Sequence, residues 1–535
     1  ELLGVEQINV NNVDFPVPTP SPDKRAQIPS PDPFGGDVIV PTPTSVPNDT
    51  IPDDDLTTIF VPTGSPSTLI PVMNPTSTLM PTIIPSSKPS SSPTEVVSSR
   101  YKQIKRRVVI ISGAESLKQD VDTPQLKALK WLVDEDPSRF SPFDENLQVR
   151  YALTVLYYST QGDGWNKNTD WNSAPDCCDW FGVTCDSVND LGYQRQAITK
   201  LNLSNNNLVG SIPKEIFGTL KFLKDLSLHT NSISGALPEN IGLRESIQTL
   251  QLYSNNISGT IPASIGNMKG LVKVYMDKNK LSGTIPPQIG NLALLEDLHL
   301  YDNSLVGDLP TELGLLSNVW RLWLSGNKIG GEIPPQIGNM ESLDSLYLDD
   351  NNMYGAIPAA LSNAIMLKDL RLDQNSFYGE IPKEFGNLKN LNILYLQNNF
   401  FVGPVPSWFG SSTRLQYINL SKNQFDGNLP SKISNPELLD LSENNLEGNI
   451  PNEWENQNDL RALFLQGNRL SGSIPNGLQN LPNLKELHLY GNNFNVEKGL
   501  CSWNIPDFLV ECNIGCGCCN SICVHSDTIA NERGG

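Results

Sequence analysis

The sequence predicts an α/β solenoid, a right-handed superhelix of about thirteen 24-residue repeats with a parallel β-sheet on its concave face. A period of 24 residues recurs in eight consecutive steps from Leu223 to Leu415. An asparagine also falls at one point of the repeat thirteen times, at Asn206, Asn231, Asn255, Asn279, Asn303, Asn327, Asn351, Asn375, Asn399, Asn423, Asn444, Asn468 and Asn492. Such a period is the signature of stacked repeats, which form one long domain instead of several compact ones.

Each unit follows the pattern L-x-x-L-x-L-x-x-N-x-L-x-G-x-I-P, as in the segment from Leu271 to Pro286. The L-x-L core predicts a short strand whose leucines point inward while the alternate residues point outward. We expect each asparagine amide to bind backbone groups that adjacent coils would otherwise bury unpaired. The glycine permits a positive φ, and the proline then restricts the next bend.

Four segments are predicted, with boundaries at 1–95, 96–197, 198–500 and 501–535. Residues 14–95 hold 19 of the 41 prolines among many Ser and Thr residues, which predicts a disordered stalk, either O-glycosylated or unmodified. Residues 96–197 are interpreted as a helical N-terminal cap and 198–500 as the repeats. The last segment is interpreted as a cysteine-rich C-terminal cap and tail.

The predicted N-terminal cap contains two helix starts and a basic run. Thr123-Pro124 begins one helix, and Ser141-Pro142 begins another with Asp144 in its first turn. We expect both helices to pack together and onto the first coil. The five cations between Arg100 and Arg107 are interpreted as a solvated helix face, with a contact to an anionic surface as the alternative.

None of the nine cysteines lies inside the repeats. This distribution predicts disulfide-stapled caps and therefore an extracellular protein. We expect Cys501 and Cys512 to form disulfides in pairings that the sequence leaves open, with a zinc site in the tail as the alternative. No run of about 18 apolar residues is present, so no membrane span is predicted. A membrane tether upstream of residue 1 is compatible with the sequence.

The G-x-I-P extension resembles plant-type leucine-rich repeats, as in receptor-kinase ectodomains and polygalacturonase-inhibiting proteins, over residues 150–500. The segments Gly162 to Trp165 and Asp176 to Cys185 are similar to the N-terminal cap of that family. The resemblance implies a Cys178–Cys185 disulfide. It leaves Cys177 as the odd thiol, since the upstream partner usual in the family is missing. The stalk, the helix at Thr123 and the tail resemble secreted or tethered leucine-rich-repeat proteins of diatoms.

Outward strand positions should form columns of side chains on the concave face, and ligand recognition is expected there. The candidate ligand-binding residues are Tyr253, Tyr275, Asp277, His299, Tyr301, Arg321, Trp323, Tyr347, Asp349, Arg371, Asp373 and Tyr395. Aromatic rings beside carboxylates suit either sugar stacking or a peptide with basic residues. The alternative is that the rings stack along the sheet and only stabilise it. No metal site is predicted, although Asp349, Asp350 and Asp373 leave weak calcium binding open.

Glycosylation sequons occur at Asn48, Asn202, Asn256 and Asn419. Glycans at Asn202 and Asn419 would flank the aromatic stretch and confine a ligand to repeats 3 to 9.

These observations predict an extracellular binding module for a peptide, protein or glycan ligand. An inhibitor of secreted hydrolases and a structural cell-wall or adhesion protein are the alternatives. No enzyme is predicted, since the sequence lacks a nucleophile elbow, an H-E-x-x-H motif, a phosphate loop and kinase signatures. No cofactor is expected. The net charge of −20, with no basic domain, argues against a nucleic-acid partner. The sequence does not specify an oligomeric state.

Overall fold

The computed structural model describes residues 93–173, 176–495, 500, 503–511 and 523–524. The chain divides between Ser87 and Lys88 into two units, and the described residues all belong to the second. Asn48, Cys501, Cys512 and nearly all of the predicted stalk lie outside the described residues.

A 16-stranded sheet, here called the long sheet, runs through every coil in chain order. β1 and β2 pair antiparallel, and every later neighbour pair is parallel. The strands are β1 Val183–Asp190, β2 Tyr193–Asn202, β3 Asp225–Ser227, β4 Thr249–Gln251, β5 Lys273–Tyr275, β6 Asp297–His299, β7 Arg321–Trp323, β8 Ser345–Tyr347, β9 Asp369–Arg371, β10 Ile393–Tyr395, β11 Tyr417–Asn419, β12 Leu438–Asp440, β13 Ala462–Phe464, β14 Glu486–His488, β15 Asp507–Glu511 and β16 Cys523–Val524. β2 to β14 are the thirteen predicted repeat strands, which confirms the solenoid.

Short strands after the ladder asparagines form three side sheets. The first contains Val209–Gly210, Ser232–Ala236, Asn256–Thr260, Lys280–Gly283, Ser304–Gly307 and Lys328–Ile329. The second contains Tyr354–Gly355, Ser376–Gly379, Phe400–Pro404 and Gln424–Asp426. The third contains Glu447–Gly448, Arg469–Ser473 and Asn493–Asn495.

Most coils close with a short 3-10 helix that directly follows the proline of the repeat. These helices are Glu239–Leu243, Ala263–Asn267, Pro287–Asn291, Thr311–Leu315, Pro335–Asn339, Ala359–Asn363, Lys383–Asn387, Ser407–Ser411, Asn452–Asn456 and Asn476–Asn480. The unit that begins at Leu415 is three residues shorter, and its closing segment is irregular.

The asparagine ladder has the predicted geometry. Asn327 shows it: Nδ2 donates to the carbonyls of Leu300 and Leu324 at 3.0 Å, and Oδ1 accepts from the amide of Leu305 at 3.0 Å. One amide side chain therefore satisfies buried backbone groups of two neighbouring coils. The inward leucines, such as Leu298 and Leu322, are fully buried in one continuous core.

Four α-helices precede or join the first coil: α1 Pro93–Ser112, α2 Pro124–Asp134, α3 Asn146–Ser159 and α4 Lys214–Thr219. α1, α2 and α3 contact one another, and α1 and α3 also contact α4 inside the first coil. The predicted packing of α2 on α3, and of α3 on the first coil, is thereby confirmed. In the described part of the chain, no helix combines the length and apolarity that crossing a membrane requires.

One predicted helix start is confirmed and one is wrong. Thr123 accepts the amide of Leu126 at 3.1 Å and caps α2. α3, however, begins at Asn146 instead of near Ser141. The amide of Asp144 donates to the Ser141 carbonyl, so this segment forms its own turn. The Asp144 carboxylate then accepts the amide of Asn146 at 2.8 Å. Short polar side chains of this kind favour such local turns over helix.

The basic run is only partly a solvated face. Arg100 Nη1 donates to the carbonyl of Phe140 at 3.0 Å, and Lys105 Nζ donates to that of Leu117 at 2.8 Å. Lys102 and Arg106 are exposed, as predicted. Two of the cations therefore bind α1 to the rest of the cap.

The disulfide between Cys178 and Cys185, implied by the family resemblance, is confirmed. Cys177 is free, and its Sγ lies 3.6 Å from Nη1 of Arg150. Arg150 is fully buried, pairs with Asp136 at 2.9 Å and lies over the Trp180 ring at 4.9 Å. Burial raises the pKa of the Cys177 thiol to about 11. This thiol is thus protonated near neutral pH.

Candidate functional site

Six side chains at the ends of strands β5 to β10 form one continuous stack, here called the stacked column. They are Tyr275, His299, Trp323, Tyr347, Arg371 and Tyr395. The distances between successive ring centroids from Tyr275 to Tyr347 are 4.6 Å to His299, then 4.2 Å to Trp323, and then 4.9 Å to Tyr347. The Arg371 guanidinium then lies 4.4 Å from the Tyr347 ring and 5.4 Å from the Tyr395 ring.

The spacing of the stack follows from the sheet. Parallel strands in register lie about 4.8 Å apart, which is close to the contact distance of stacked rings. The interior rings are therefore half-buried and turn their faces to each other, so that mainly ring edges remain accessible. The rings therefore stack along the sheet, which is the arrangement expected under the alternative to ligand recognition. It leaves little ring face for a sugar.

Two carboxylates on the same strands support the stacked column, and sequence reasoning missed both. Asp297 Oδ2 accepts the hydroxyl of Tyr275 at 3.0 Å. Asp369 accepts the hydroxyl of Tyr347 and both Nε and Nη2 of Arg371, at 3.2 and 3.1 Å. Each aspartate is two residues upstream of a column member and so shares its sheet face. That spacing was visible in the sequence.

Arginines accompany both of these carboxylates. Arg371 forms an ion pair with Asp369, and Nη1 of Arg321 lies 3.9 Å from Oδ1 of Asp297. Arg321 also lies over the ring of Trp320 at 3.7 Å. The predicted site residue Arg321 thus lies beside the stacked column, on the side of Asp297.

A parallel column two residues further along carries three more aspartates, here called the acid column: Asp277, Asp349 and Asp373. Asp277 accepts a hydrogen bond from Tyr301. Oδ1 of Asp349 accepts the hydroxyl of Ser325 at 2.6 Å. Oδ2 of Asp373 accepts from the amide of Gln374 at 3.4 Å. All three have neutral hydrogen-bond donors.

Burial is the main cause of raised pKa values in the acid column. It raises the pKa of Asp277 to about 6. For Asp373, burial and then the charge of Asp349 raise the pKa to about 7. The pKa of Asp349 is also raised, mainly by burial. Among the described residues, no cation forms an ion pair with these three carboxylates, in contrast to Asp369.

The three described histidines, His229, His299 and His488, lie with Tyr253 on the predicted face but not in one cluster. His229 stacks on Tyr253 at 4.3 Å, outside the stacked column. Burial and the Arg321 charge lower the pKa of His299 to about 4, so this ring is neutral near pH 7. Within the described ranges, no group of three or more His, Cys, Asp or Glu side chains could hold a metal ion. The calcium alternative at Asp349, Asp350 and Asp373 therefore finds no support.

Two of the described sequons lie on the face of the long sheet. Asn419 is in register with Tyr395, immediately beyond the stacked column, and Asn202 ends β2 on the opposite side. Oδ1 of Asn419 accepts a hydrogen bond from the hydroxyl of Ser421 at 2.7 Å, and Oδ1 of Asn202 accepts one from the hydroxyl of Ser204 at 2.8 Å. Asn256 begins a strand of the first side sheet. Glycan attachment at these sites stays a prediction.

Two family descriptions match the chain. The leucine-rich-repeat N-terminal domain matches residues 150–186. The leucine-rich repeat matches residues 197–219, 246–268, 318–340, 366–388, 390–412, 414–436, 435–457 and 459–481.

Similar proteins include plant receptors. Phytosulfokine receptor 1 of Arabidopsis thaliana is 34% identical over 108 residues, 17% of this chain and 10% of that protein. A solved plant peptide hormone receptor, RGFR1 in complex with RGF2, is 35% identical, with a TM-score of 0.57 over 61% of this chain and 51% of that one. The solved structure of a TDR receptor is 30% identical, with a TM-score of 0.51, and the match covers 58% of this chain and 63% of that one.

The matched region spans about a tenth of the first curated relatives and about half of the first solved structure. What the chain shares with the two solved receptors is the solenoid fold. The chain therefore carries a leucine-rich-repeat N-terminal domain followed by leucine-rich repeats, and it is similar to plant receptor kinases and receptor-like proteins.

Proposed function

We propose that the chain is an extracellular binding module, and that repeats 3 to 9 of its long sheet recognise a peptide segment with basic side chains. One observation carries the proposal. The carboxylates next to the stacked column form ion pairs with arginines of the chain. The three of the acid column have only neutral hydrogen-bond donors, and the charges of Arg371 and Lys278 act on them without forming an ion pair.

A carboxylate without an ion-pair partner is costly to ionise when it is buried, and this cost raises its pKa. A ligand ammonium or guanidinium placed over the acid column would offset that cost. Asp349 and Asp373 lie in adjacent repeats, and the charge of Asp349 raises the pKa of Asp373. One cation between them would relieve both carboxylates. Lysine, arginine or a peptide amino terminus therefore suits this part of the face.

The stacked column supplies a stiff apolar wall beside these acids. Since its interior rings already cover each other's faces, it suits contact with apolar side chains better than sugar stacking. RGFR1 is a plant peptide hormone receptor, solved in complex with RGF2, and this supports a peptide over a glycan. The Cys178–Cys185 disulfide supports an extracellular setting. Nothing in the proposed action is catalytic.

The test is an array of synthetic peptides of equal length in which the Lys, Arg, Asp and Glu content is varied independently. We expect binding to increase with Lys and Arg content. The Asp349→Asn/Asp373→Asn double variant should weaken the binding of the best basic peptide by at least about tenfold. Asp440→Asn is the matched control, because Asp440 is a half-buried carboxylate of the same sheet whose pKa is also raised, and it lies outside repeats 3 to 9.

Equal binding of basic peptides by wild type and double variant would refute the proposal. Preference for acidic peptides, or binding of oligosaccharides only, would also refute it. A loss in the Asp440→Asn control as large as in the double variant would show that the effect is structural.

A further inference from the structure

Four large apolar or aromatic side chains project from the second side sheet, away from the candidate ligand site. Tyr354, Tyr378, Phe400 and Val402 are 50, 52, 49 and 38% exposed. Tyr378 and Phe400 are register partners on adjacent strands, and Val402 follows Phe400 by two residues. Residues two apart share a sheet face, so these side chains form one patch, here called the side patch.

The other repeats of the chain show that the solenoid does not need aromatic residues at these positions. Phe400 directly follows a ladder asparagine, and in the other twelve repeats this place holds Asn, Ser, Lys, Gln or Arg. Tyr354 and Tyr378 directly precede the repeat glycine, where Ser234, Ser258 and Ser282 stand in earlier coils. The same coil therefore forms with serine before the repeat glycine. The aromatic residues are thus a local feature of three consecutive repeats.

Nothing in the described part of the chain covers the side patch. Neither tyrosine hydroxyl has a hydrogen-bond partner there, and none of the three rings stacks on another ring, in contrast to the stacked column. Single exposed apolar residues are ordinary, but contiguous ones mark interaction surfaces. Tyrosine and phenylalanine are also enriched at protein interfaces.

Carboxylates border the side patch. The Glu332 side chain passes over Gly355, so a Cβ added at Gly355 would lie 2.6 Å from Cγ of Glu332. The Glu380 side chain passes over Gly403 in the same way, and a Cβ added there would lie 2.8 Å from Cγ of Glu380. Asp426 is in register with Pro404 on the next strand. These three acids form no ion pair among the described residues. A second copy would place this acidic rim against another, in a chain of net charge −20, which disfavours self-association through the patch.

We propose that the second side sheet is a docking surface for a separate protein that presents apolar side chains bordered by Lys or Arg. The aromatic rings would supply the buried centre of the interface, and the carboxylates would supply its polar rim. This surface is distinct from the long sheet, so that the partner and a ligand in repeats 3 to 9 can bind at the same time. The proposal does not depend on the proposed function.

The probe is a phage-displayed library of random peptides, selected on the whole chain. We expect enriched sequences to combine aromatic or aliphatic residues with Lys or Arg. The Tyr354→Ser/Tyr378→Ser/Phe400→Ser variant, which restores residues that other coils carry, should bind these clones at least about tenfold more weakly. Glu332→Gln/Glu380→Gln should weaken binding less and reduce its salt dependence.

Two control variants test whether binding depends on the side patch itself. Tyr193→Ser removes a tyrosine that is 79% exposed on the β1–β2 hairpin and should leave the clones bound. Asp349→Asn/Asp373→Asn should also leave them bound, even if it abolishes peptide binding on the long sheet. Unchanged thermal unfolding of the triple variant would show that its fold is intact.

Three results would overturn the proposal. The first is a selection without any clone whose binding the triple variant loses. The second is concentration-dependent self-association in sedimentation that the triple variant abolishes, which would identify a second copy as the occupant. The third is retention on insoluble cellulose or chitin that depends on the same three rings, which would identify a polysaccharide surface instead.

Discussion

The indole of Trp323 lies parallel to the ring of Tyr347 within 1°, with centroids 4.9 Å apart, although 24 residues separate them along the chain. On its other face Trp323 stacks on His299 at 4.2 Å. The indole is therefore covered on both sides by residues of neighbouring coils. A side chain that points out of the sheet thus also binds three repeats together.

Trp323→Ala should therefore lower the free energy of unfolding by roughly 2 kcal/mol, since it removes two ring contacts and leaves a gap in the stack. Trp323→Phe keeps a ring in place and should cost less than half as much. The measurement is urea unfolding followed by circular dichroism. An alanine variant as stable as wild type would show that the stack contributes nothing to the fold.

The asparagine ladder makes a second prediction about stability. Asn327→Ala removes a donor to the carbonyls of Leu300 and Leu324 and leaves the buried amide of Leu305 without its acceptor. We expect a cost of about 1–3 kcal/mol, because an unsatisfied buried group carries its full desolvation penalty. Asn352→Ala is the control, since Asn352 is exposed. Similar losses in both variants would contradict the ladder's role.

The repeats were predictable because one short pattern determines each coil. The spacing of the leucines and of Asn327 in every unit gives strand, inward face and ladder together, and all three are observed. The start of α2 was equally local, since Thr123 caps it with its own hydroxyl. Periodicity and capping depend on near neighbours in sequence, and near neighbours are what one sequence displays.

Features that depend on distant neighbours were less accessible. The outward direction of Trp323 was predicted and ring stacking was the stated alternative, but the stacking distance and angle between Trp323 and Tyr347 depend on exact strand register. The spacing of Asp297 and Asp369, two residues before a member of the stacked column, was visible in the sequence. Their role depends on the hydroxyls of Tyr275 and Tyr347, which come from neighbouring coils and donate to them. The burial of Arg150 over Trp180 joins segments that no periodicity connects.

The cap disulfide yields a third prediction. Cys178→Ser should lower the free energy of unfolding by about 2–3 kcal/mol, since the Cys178–Cys185 bond closes a short loop that the unfolded chain would otherwise leave open. Cys177→Ser should cost clearly less, because Cys177 is free and serine still offers Arg150 a polar atom. Thermal unfolding of the two variants gives the comparison. A larger loss in Cys177→Ser would indicate that the contact with Arg150 matters more than the disulfide.

The acid column makes stability depend on pH in a direction that follows from its raised pKa values. The pKa of Asp373 rises from 3.8 in the unfolded chain to about 7 in the folded protein. A group with a raised folded-state pKa contributes its full stabilisation below the unfolded value and loses it as pH rises through the folded value. The protein should therefore become less stable between about pH 4 and pH 7. Asp373→Asn cannot ionise, so its stability relative to wild type should increase across this window, by an amount on the order of a few kcal/mol.

Binding of a basic peptide should show the opposite dependence on pH. A cation prefers the ionised carboxylate, so protonation of Asp373 competes with the ligand, and affinity should rise at least about tenfold from pH 5 to pH 8. In the Asp373→Asn variant a smaller rise of affinity with pH should remain, because burial raises the pKa of Asp277 to about 6 and this carboxylate still titrates. Calorimetry of the best basic peptide in two buffers with different ionisation enthalpies would measure the protons released on binding. Release that peaks between pH 6 and 7 and decreases in Asp373→Asn would assign the proton to the acid column. If the affinity for the basic peptide does not change with pH, its cation does not contact these carboxylates.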